Sequence, residues 1–306
     1  NIFDGDVAIF RDSLPWGHNV TEPILRSYGI PYNVYTSLDF GSVDLSGFVK
    51  VIIASYQPQQ FYNRLVGNIS WFENYAANGG TLEIHACDSN VGTHWYGLLL
   101  MPGGLNKSQT YSNNVSINIP THPIVNVPYP VEDPELDNWG YSTHGYFTEF
   151  PTLSKKVLLD SEDPSRPVLL DFPYGSGFII ASMQTLEHNQ YWNYTNILED
   201  IILYMPEDNQ APFSSLSYTA EYAPNFVLNT TSFTLSATDG EGYGVANITY
   251  RINGGNWTLY SGPFSLAGHV SELYTIEYFA TDNLGNVESI NSETISLDMS
   301  APTSQL

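Results

Sequence analysis

Cys87 is the one cysteine in this 306-residue chain, and His85, Asp88 and His94 lie close to it. That grouping has the residue types of a transition-metal site: positions 85 and 87 share a face if the strand that precedes them continues, and His94 can return from the loop. The alternative gives the same residues a structural role, with His85 hydrogen-bonded at a sheet end and Cys87 a small buried side chain, and this is the favoured expectation. A lone cysteine forms no intrachain disulfide and builds no Cys-based zinc or iron–sulfur centre. As a nucleophile it would need a base to lower its pKa and an elbow glycine to expose the sulfur beside oxyanion donors. Ala86, Asp88, Ser89 and Asn90 provide no such glycine. The Asp88 carboxylate pushes a neighbouring thiol pKa up, not down.

Three other sets invite chemistry. Asp239, Glu241, Asp282 and Asn286 are oxygen-rich and fall in two turn segments; calcium is the ion such flexible carboxylates and amides would take, although Asp and Asn are also ordinary turn formers. His144, Glu187 and Asp160 are the types for acid–base work with water, without a spacing that separates this from solvated loops. Trp71, Trp95, Trp139, Trp192 and Trp257 are rings on which a glycan could stack, or core.

Asn-x-Ser/Thr occurs at Asn19, Asn68, Asn106, Asn114, Asn193, Asn229, Asn247 and Asn256. Spread over the whole length, these acceptors point to N-linked glycans and a location outside the cell. The charge agrees with an exposed surface: 9 Lys+Arg stand against 32 Asp+Glu, a formal net charge of −23. Such a surface repels nucleic-acid phosphates and anionic membrane faces. With 42% hydrophobic residues, 22 Tyr and 15 Phe, disorder is excluded. No apolar run approaches the ~20 residues of a membrane span. Asn1 and its neighbours resemble neither an initiator Met nor a leader, so the sequence reads as a mature or excised piece.

The elements that must hold these residues come in two grammars. From Asp6 to about Pro206, strand candidates at 6–10, 32–36, 50–55 and 81–86 alternate with helices, one from Thr21 as cap to Tyr28 and one from Phe61 to Ala77 ending at Gly79-Gly80. A Pro-rich stretch with a strand at 115–119 follows, then strands at 156–160, 167–171 and 177–183 and a closing helix from Tyr194 to Met205. This order predicts a parallel sheet with helices on both faces, a flavodoxin-like α/β domain over 1–207. Residues 208–298 show period-two alternation instead and predict a β-sandwich. Asp208 to Leu216 aligns with Asp298 to Leu306 at an offset of 90, matching at Asp, Ala, Pro, Ser and Leu. Residues 299–306 therefore read as the start of a further repeat, or as a strand donated to a partner.

Gly79-Gly-Thr-Leu-Glu-Ile-His, His122-Pro-Ile, and Tyr174-Gly-Ser-Gly-Phe-Ile-Ile-Ala-Ser resemble motifs of class I glutamine-amidotransferase-like domains of the trehalose-utilisation type. The resemblance covers residues 6–205. Its catalytic members place a nucleophilic Cys after a strand and a His-x-Glu pair after a later one. Cys87 matches the first position, whereas Thr185-Leu-Glu187 stands where His-x-Glu is expected, with His188 one step beyond. If the chain were active, the resemblance would assign Cys87, Glu187 and His188; the missing histidine and elbow glycine imply no catalytic residue and no enzyme. Ala237-Thr-Asp-Gly-Glu-Gly-Tyr-Gly-Val245, Tyr260-Ser-Gly-Pro-Phe264 and Tyr278-Phe-Ala-Thr-Asp-Asn-Leu-Gly-Asn-Val-Glu288 resemble Ig-like or fibronectin-III-like modules of prokaryotic surface proteins.

The expected function is thus a structural extracellular protein of a prokaryote, plausibly an archaeon: a pseudoenzyme head with an Ig-like module, self-assembling in a surface layer, filament or stalk. Its partners would be copies of itself or neighbouring surface proteins. The rival readings are a carbohydrate-active or amide hydrolase and a glycan-binding adhesin.

Overall fold

A computed structural model describes residues 5–88, 101–207, 210–220, 224–240 and 242–299. The chain divides into two compact units, Asn1–Pro206 and Glu207–Leu306. His94, Trp95, Glu241 and the 301–306 segment lie outside the described residues.

In chain order the first unit contains β1 (Asp6–Phe10), α1 (Thr21–Ser27), β2 (Tyr32–Tyr35), β3 (Phe48–Ile53), α2 (Gln59–Val66), α3 (Ile69–Ala77) and β4 (Thr81–His85). There follow β5 (Asn106–Ser112), β6 (Val115–Ile117), β7 (Thr143–Glu149), β8 (Lys155–Asp160), β9 (Pro167–Tyr174), β10 (Gly177–Ser182), α4 (Leu186–Tyr191) and α5 (Ile197–Leu203). One eight-stranded sheet runs β2-β1-β3-β4-β10-β9-β8-β6.

The expected all-parallel sheet needs correction. The run from β2 to β10 is parallel, but β10-β9, β9-β8 and β8-β6 pair antiparallel. The reason is the Gly175-Ser176 turn, which is too short for the crossover that a parallel pair requires. Gly175 holds φ +64, and a Cβ there would sit 2.5 Å from Ala77 Cα, so the β9–β10 hairpin packs against the end of α3 in a way only glycine permits.

Other boundaries shift for local reasons. The helix expected over 61–77 breaks into α2 and α3 at Gly67-Asn68. Thr21 is not a cap: it is the first, buried residue of α1, and Val20 at the N-cap offers no side-chain bond. The closing helix is confined to α5, and α4 forms over the segment holding Glu187 and His188. Both faces of the sheet are covered by one continuous apolar core, in which Val7, Ile9, Val51, Ile53, Leu82 and Ile84 are essentially inaccessible.

The second unit contains β11 (Phe213–Ser217), β12 (Phe226–Val227), β13 (Thr234–Thr238), β14 (Val245–Ile252), β15 (Thr258–Leu259), β16 (Leu273–Asp282) and β17 (Asn291–Leu297). β11 pairs with β13, and the remaining strands form a five-stranded sheet β12-β17-β16-β14-β15. A small core of Val227, Phe233, Leu266, Tyr274, Ile276, Ile295 and Leu297 lies between them. Alternate residues of β16 and β17 supply it, as the period-two pattern requires.

Candidate functional site

The C-terminal ends of the parallel strands, where open α/β sheets present their ligands, bring together Ser55 and Tyr56 after β3, His85 and Cys87 at β4, and Glu187 and His188 on α4. The sequence expectation pairs Cys87 with Glu187 and His188. The structure pairs Glu187 otherwise. Glu187 Oε1 lies 2.7 Å from His85 Nδ1, and Oε2 accepts from Ser55 Oγ at 2.7 Å.

His85 Nε2 lies 2.7 Å from Glu83 Oε1, and Glu83 Oε2 accepts from Lys50 Nζ at 2.8 Å. Lys50 Nζ then donates to the carbonyls of Ile201, Ile202 and Tyr204 at 2.8, 2.9 and 2.8 Å, closing the C-terminal end of α5. The four ionisable side chains are 0 or 1% exposed. With Lys50 and His85 protonated and Glu83 and Glu187 ionised the charges alternate along the row and the buried set sums to zero; burial lowers the Lys50 pKa, and Glu83 opposes that shift. Only such pairing makes buried charge tolerable.

The electrostatics follow from this geometry. Burial alone would lower the His85 pKa, but the Glu187 and Glu83 carboxylates outweigh it and raise it from 6.5 to about 10. Burial would raise Glu83, yet Lys50 and His85 bring it from 4.5 down to about 2. Glu187 likewise stays below the usual carboxylate range against the pull of burial, chiefly because of His85. Both His85 nitrogens are thus engaged by carboxylates, which favours the imidazolium, and neither is turned to Cys87 or Asp88; His94, the fourth member of that metal reading, lies outside the described residues.

The thiol is no better placed. Cys87 is fully buried, and its pKa is pushed up by burial first and by Asp88 next. Its backbone is not among the positive-φ positions that mark a strained nucleophile turn. Lys107 Nζ lies 3.2 Å from Asp88 Oδ2 and also donates to the Ala86 carbonyl. Thr185, in the place of the expected histidine, receives the Asn189 amide and donates to the Tyr141 carbonyl. His188 lies apart from Glu187's bonding, its Nδ1 3.5 Å from Asn189 Oδ1.

His144 Nδ1 is 2.6 Å from the Asp88 carbonyl, and burial lowers its pKa. Asp160, on β8, faces Arg166 and accepts from the Glu162 amide. His144, Glu187 and Asp160 thus have separate partners and form no acid–base set. In the second unit Asp282 Oδ1 accepts from the Leu284 and Asn286 amides, and Asn286 Nδ2 donates to Asp282 Oδ2. Asp239 Oδ2 accepts from the Gly244 amide. These contacts are turn chemistry, and among the described residues no group of three or more His, Cys, Asp or Glu could hold a metal ion. All eight glycosylation acceptors are half-buried or exposed, with Asn19, Asn114, Asn193 and Asn256 the most open.

Trp71 packs into the core beside Phe10 and Phe72, Trp139 is buried, and Trp257 lies under Arg251 in the second unit. The ring that sequence reasoning missed is Trp16. It stacks on Tyr56 at 4.3 Å with planes 10° apart, and its Nε1 donates to Ser55 Oγ at 3.1 Å. Both residues hold left-handed backbones, φ 50 and 52, a conformation that L side chains adopt at a cost and that gathers at functional sites. The signal available was Pro15-Trp16-Gly17 in the loop that follows the buried strand β1.

No family model matches the chain. Its sequence is similar to an uncharacterised protein of Clostridium acetobutylicum, 29% identical over 193 residues, which cover 59% of this chain. The match spans 18% of that relative's length. Among solved structures, a glutamine amidotransferase of Thermotoga maritima aligns with 66% of this chain and 99% of its own, at 10% identity and a TM-score of 0.44. A GMP synthase protein of Thermoplasma acidophilum, described as putative, aligns with 65% of this chain and 92% of its own, at 14% identity and a TM-score of 0.41. The PKD1 domain of Vibrio anguillarum Epp aligns along its full length with 30% of this chain, at 15% identity and a TM-score of 0.23. The neighbours thus include amidotransferase-like folds and a PKD domain as partial matches.

Proposed function

We propose that this chain is a catalytically silent, amidotransferase-like head carrying an Ig-like module, and that it serves as a structural, N-glycosylated protein of a prokaryotic cell surface that associates with copies of itself. The observation that carries the reading is the engagement of Glu187. The carboxylate expected to serve a cysteine is bound to His85 and Ser55, while the thiol is buried and its pKa pushed up. A group already committed to a neutral buried row has no proton to take or give at neutral pH. The accessible acceptor asparagines and the net charge of −23 support the surface part of the reading.

The test uses the full chain purified from its native host. Amide and glycoside substrates should be turned over no faster than by Cys87→Ala, glycopeptide mass spectrometry should show occupied acceptor asparagines, and light scattering should show concentration-dependent association. Turnover that disappears in Cys87→Ala, or an unmodified chain that stays monomeric, would contradict the proposal.

A further inference from the structure

A run of aromatic rings crosses the sheet end above the buried row. Trp16 meets His144 edge-on at 5.4 Å and His188 at 6.3 Å. From His188 the contacts continue to Trp192 at 6.4 Å and to His18 at 6.2 Å, and His18 stacks on Tyr191 at 3.6 Å. On the other side, Tyr111 packs 5.1 Å from both His144 and Tyr141. Much of this area is open: Tyr141, Tyr191 and Trp192 are 50, 52 and 55% exposed. A ring that served only the core would be covered.

We propose that this platform binds a neutral oligosaccharide. Two observations select that ligand class. The open rings, Tyr141, Tyr191 and Trp192, offer apolar surface on which sugar units stack as other flat apolar groups do. Second, the neighbouring cations are engaged, Arg11 by Glu22 and Lys107 by Asp88, and His144 is held towards its neutral form by burial. On a chain of net charge −23 an acidic glycan would meet repulsion without a counter-charge. The positive-φ backbones of Trp16 and Tyr56, fixed from below through Ser55 and Glu187, present the central rings in one arrangement before the ligand arrives.

The inference rests on the catalytic silence proposed above, since the guest must stay intact. Isothermal calorimetry of the full chain with cellohexaose, mannohexaose, chitohexaose and hexagalacturonate tests it. Saturable binding of at least one neutral probe is expected, weakened about tenfold, equivalent to about 1.4 kcal/mol, in Trp192→Ala and in Tyr191→Ala. Both side chains are half exposed, so their loss leaves the fold intact; Trp257→Ala, in the second unit, should bind as the unaltered chain does. Absence of binding to every neutral probe, preference for hexagalacturonate, or binding indifferent to both ring variants would overturn the proposal. Chromatography of the recovered sugar reads the silence separately: cleavage would contradict the proposed function while the ring variants still report on binding.

Discussion

His85 Nδ1 and Glu187 Oε1 stand 2.7 Å apart across the strand-end crevice, joining a residue of β4 to one of α4 that is 102 positions away in sequence. This contact makes Glu187 the last charged member of an internal ionic row. The row begins at Lys50 beneath α5 and ends, through Ser55, at the Trp16 ring. Stability and surface shape are thereby coupled: the same Glu187 that neutralises His85 also holds the hydroxyl on which Trp16 is hung.

Removing one charge from the row leaves its neighbour buried and uncompensated. Lys50→Met should destabilise the first unit by about 3–5 kcal/mol, read as a lower denaturation midpoint with an unchanged slope. A change below about 1 kcal/mol would mean that Glu83 finds another partner or water.

The row also sets a pH dependence. His85 has its folded pKa raised from 6.5 to about 10, so its contribution is complete below pH 6.5 and is lost as pH rises towards 10. Glu83 has its folded pKa lowered from 4.5 to about 2, so its contribution is complete above pH 4.5 and fades as pH falls towards 2. Thermal melts should therefore show these contributions jointly at their fullest between pH 4.5 and 6.5. A His85→Gln variant should lose most of the alkaline decline.

Asp200 adds a further decline with rising pH, in the same direction as that of His85. Burial chiefly, with Glu199 adding to it against the Tyr129 amide bond, raises its pKa from 3.8 to about 7. Its Oδ1 accepts from the Tyr129 amide, and its buried Oδ2 has no hydrogen-bond partner. Ionisation is thus a penalty that grows between pH 3.8 and 7. Asp200→Asn keeps the Tyr129 bond and should stabilise the protein by about 1–3 kcal/mol at pH 8, with the gain gone at pH 4. An equal gain at both pH values would show that charge is not its source.

The sequence carried the strands of the first unit well because buried β-strands between short breaks have a clear apolar pattern: β1, β3, β4 and β10 fall within a few residues of expectation. It hid the antiparallel half of the sheet, which depends on a turn of two residues at Gly175-Ser176, and also β5 and β7, whose half-buried pairs lack a long apolar run. The ionic row was illegible for a different reason. Glu83 and His85 share one face of β4 two residues apart, but Lys50 and Glu83 sit inside strands where periodicity expects apolar side chains, and only the β3-β4 pairing and the fold of α4 bring Lys50 and Glu187 to them. Trp16 was overlooked because its role comes from a positive-φ turn and from Ser55, 39 residues away.

Thiol chemistry offers an independent check. Cys87 is inaccessible and disfavours the thiolate, so a maleimide at pH 7.5 should label the folded chain at least about tenfold more slowly than the unfolded one. Equal rates would place the sulfur at the surface and reopen a nucleophilic role.

The central claim is that the buried row keeps His85 protonated through neutral pH and Glu187 engaged by it. Nitrogen-15 NMR of the His85 ring measures this most directly: both ring nitrogens should carry protons from pH 5 to about 8.5, without a titration near 6.5. A His85 that loses a proton near 6.5 would leave Glu187 without its counter-charge and contradict the account.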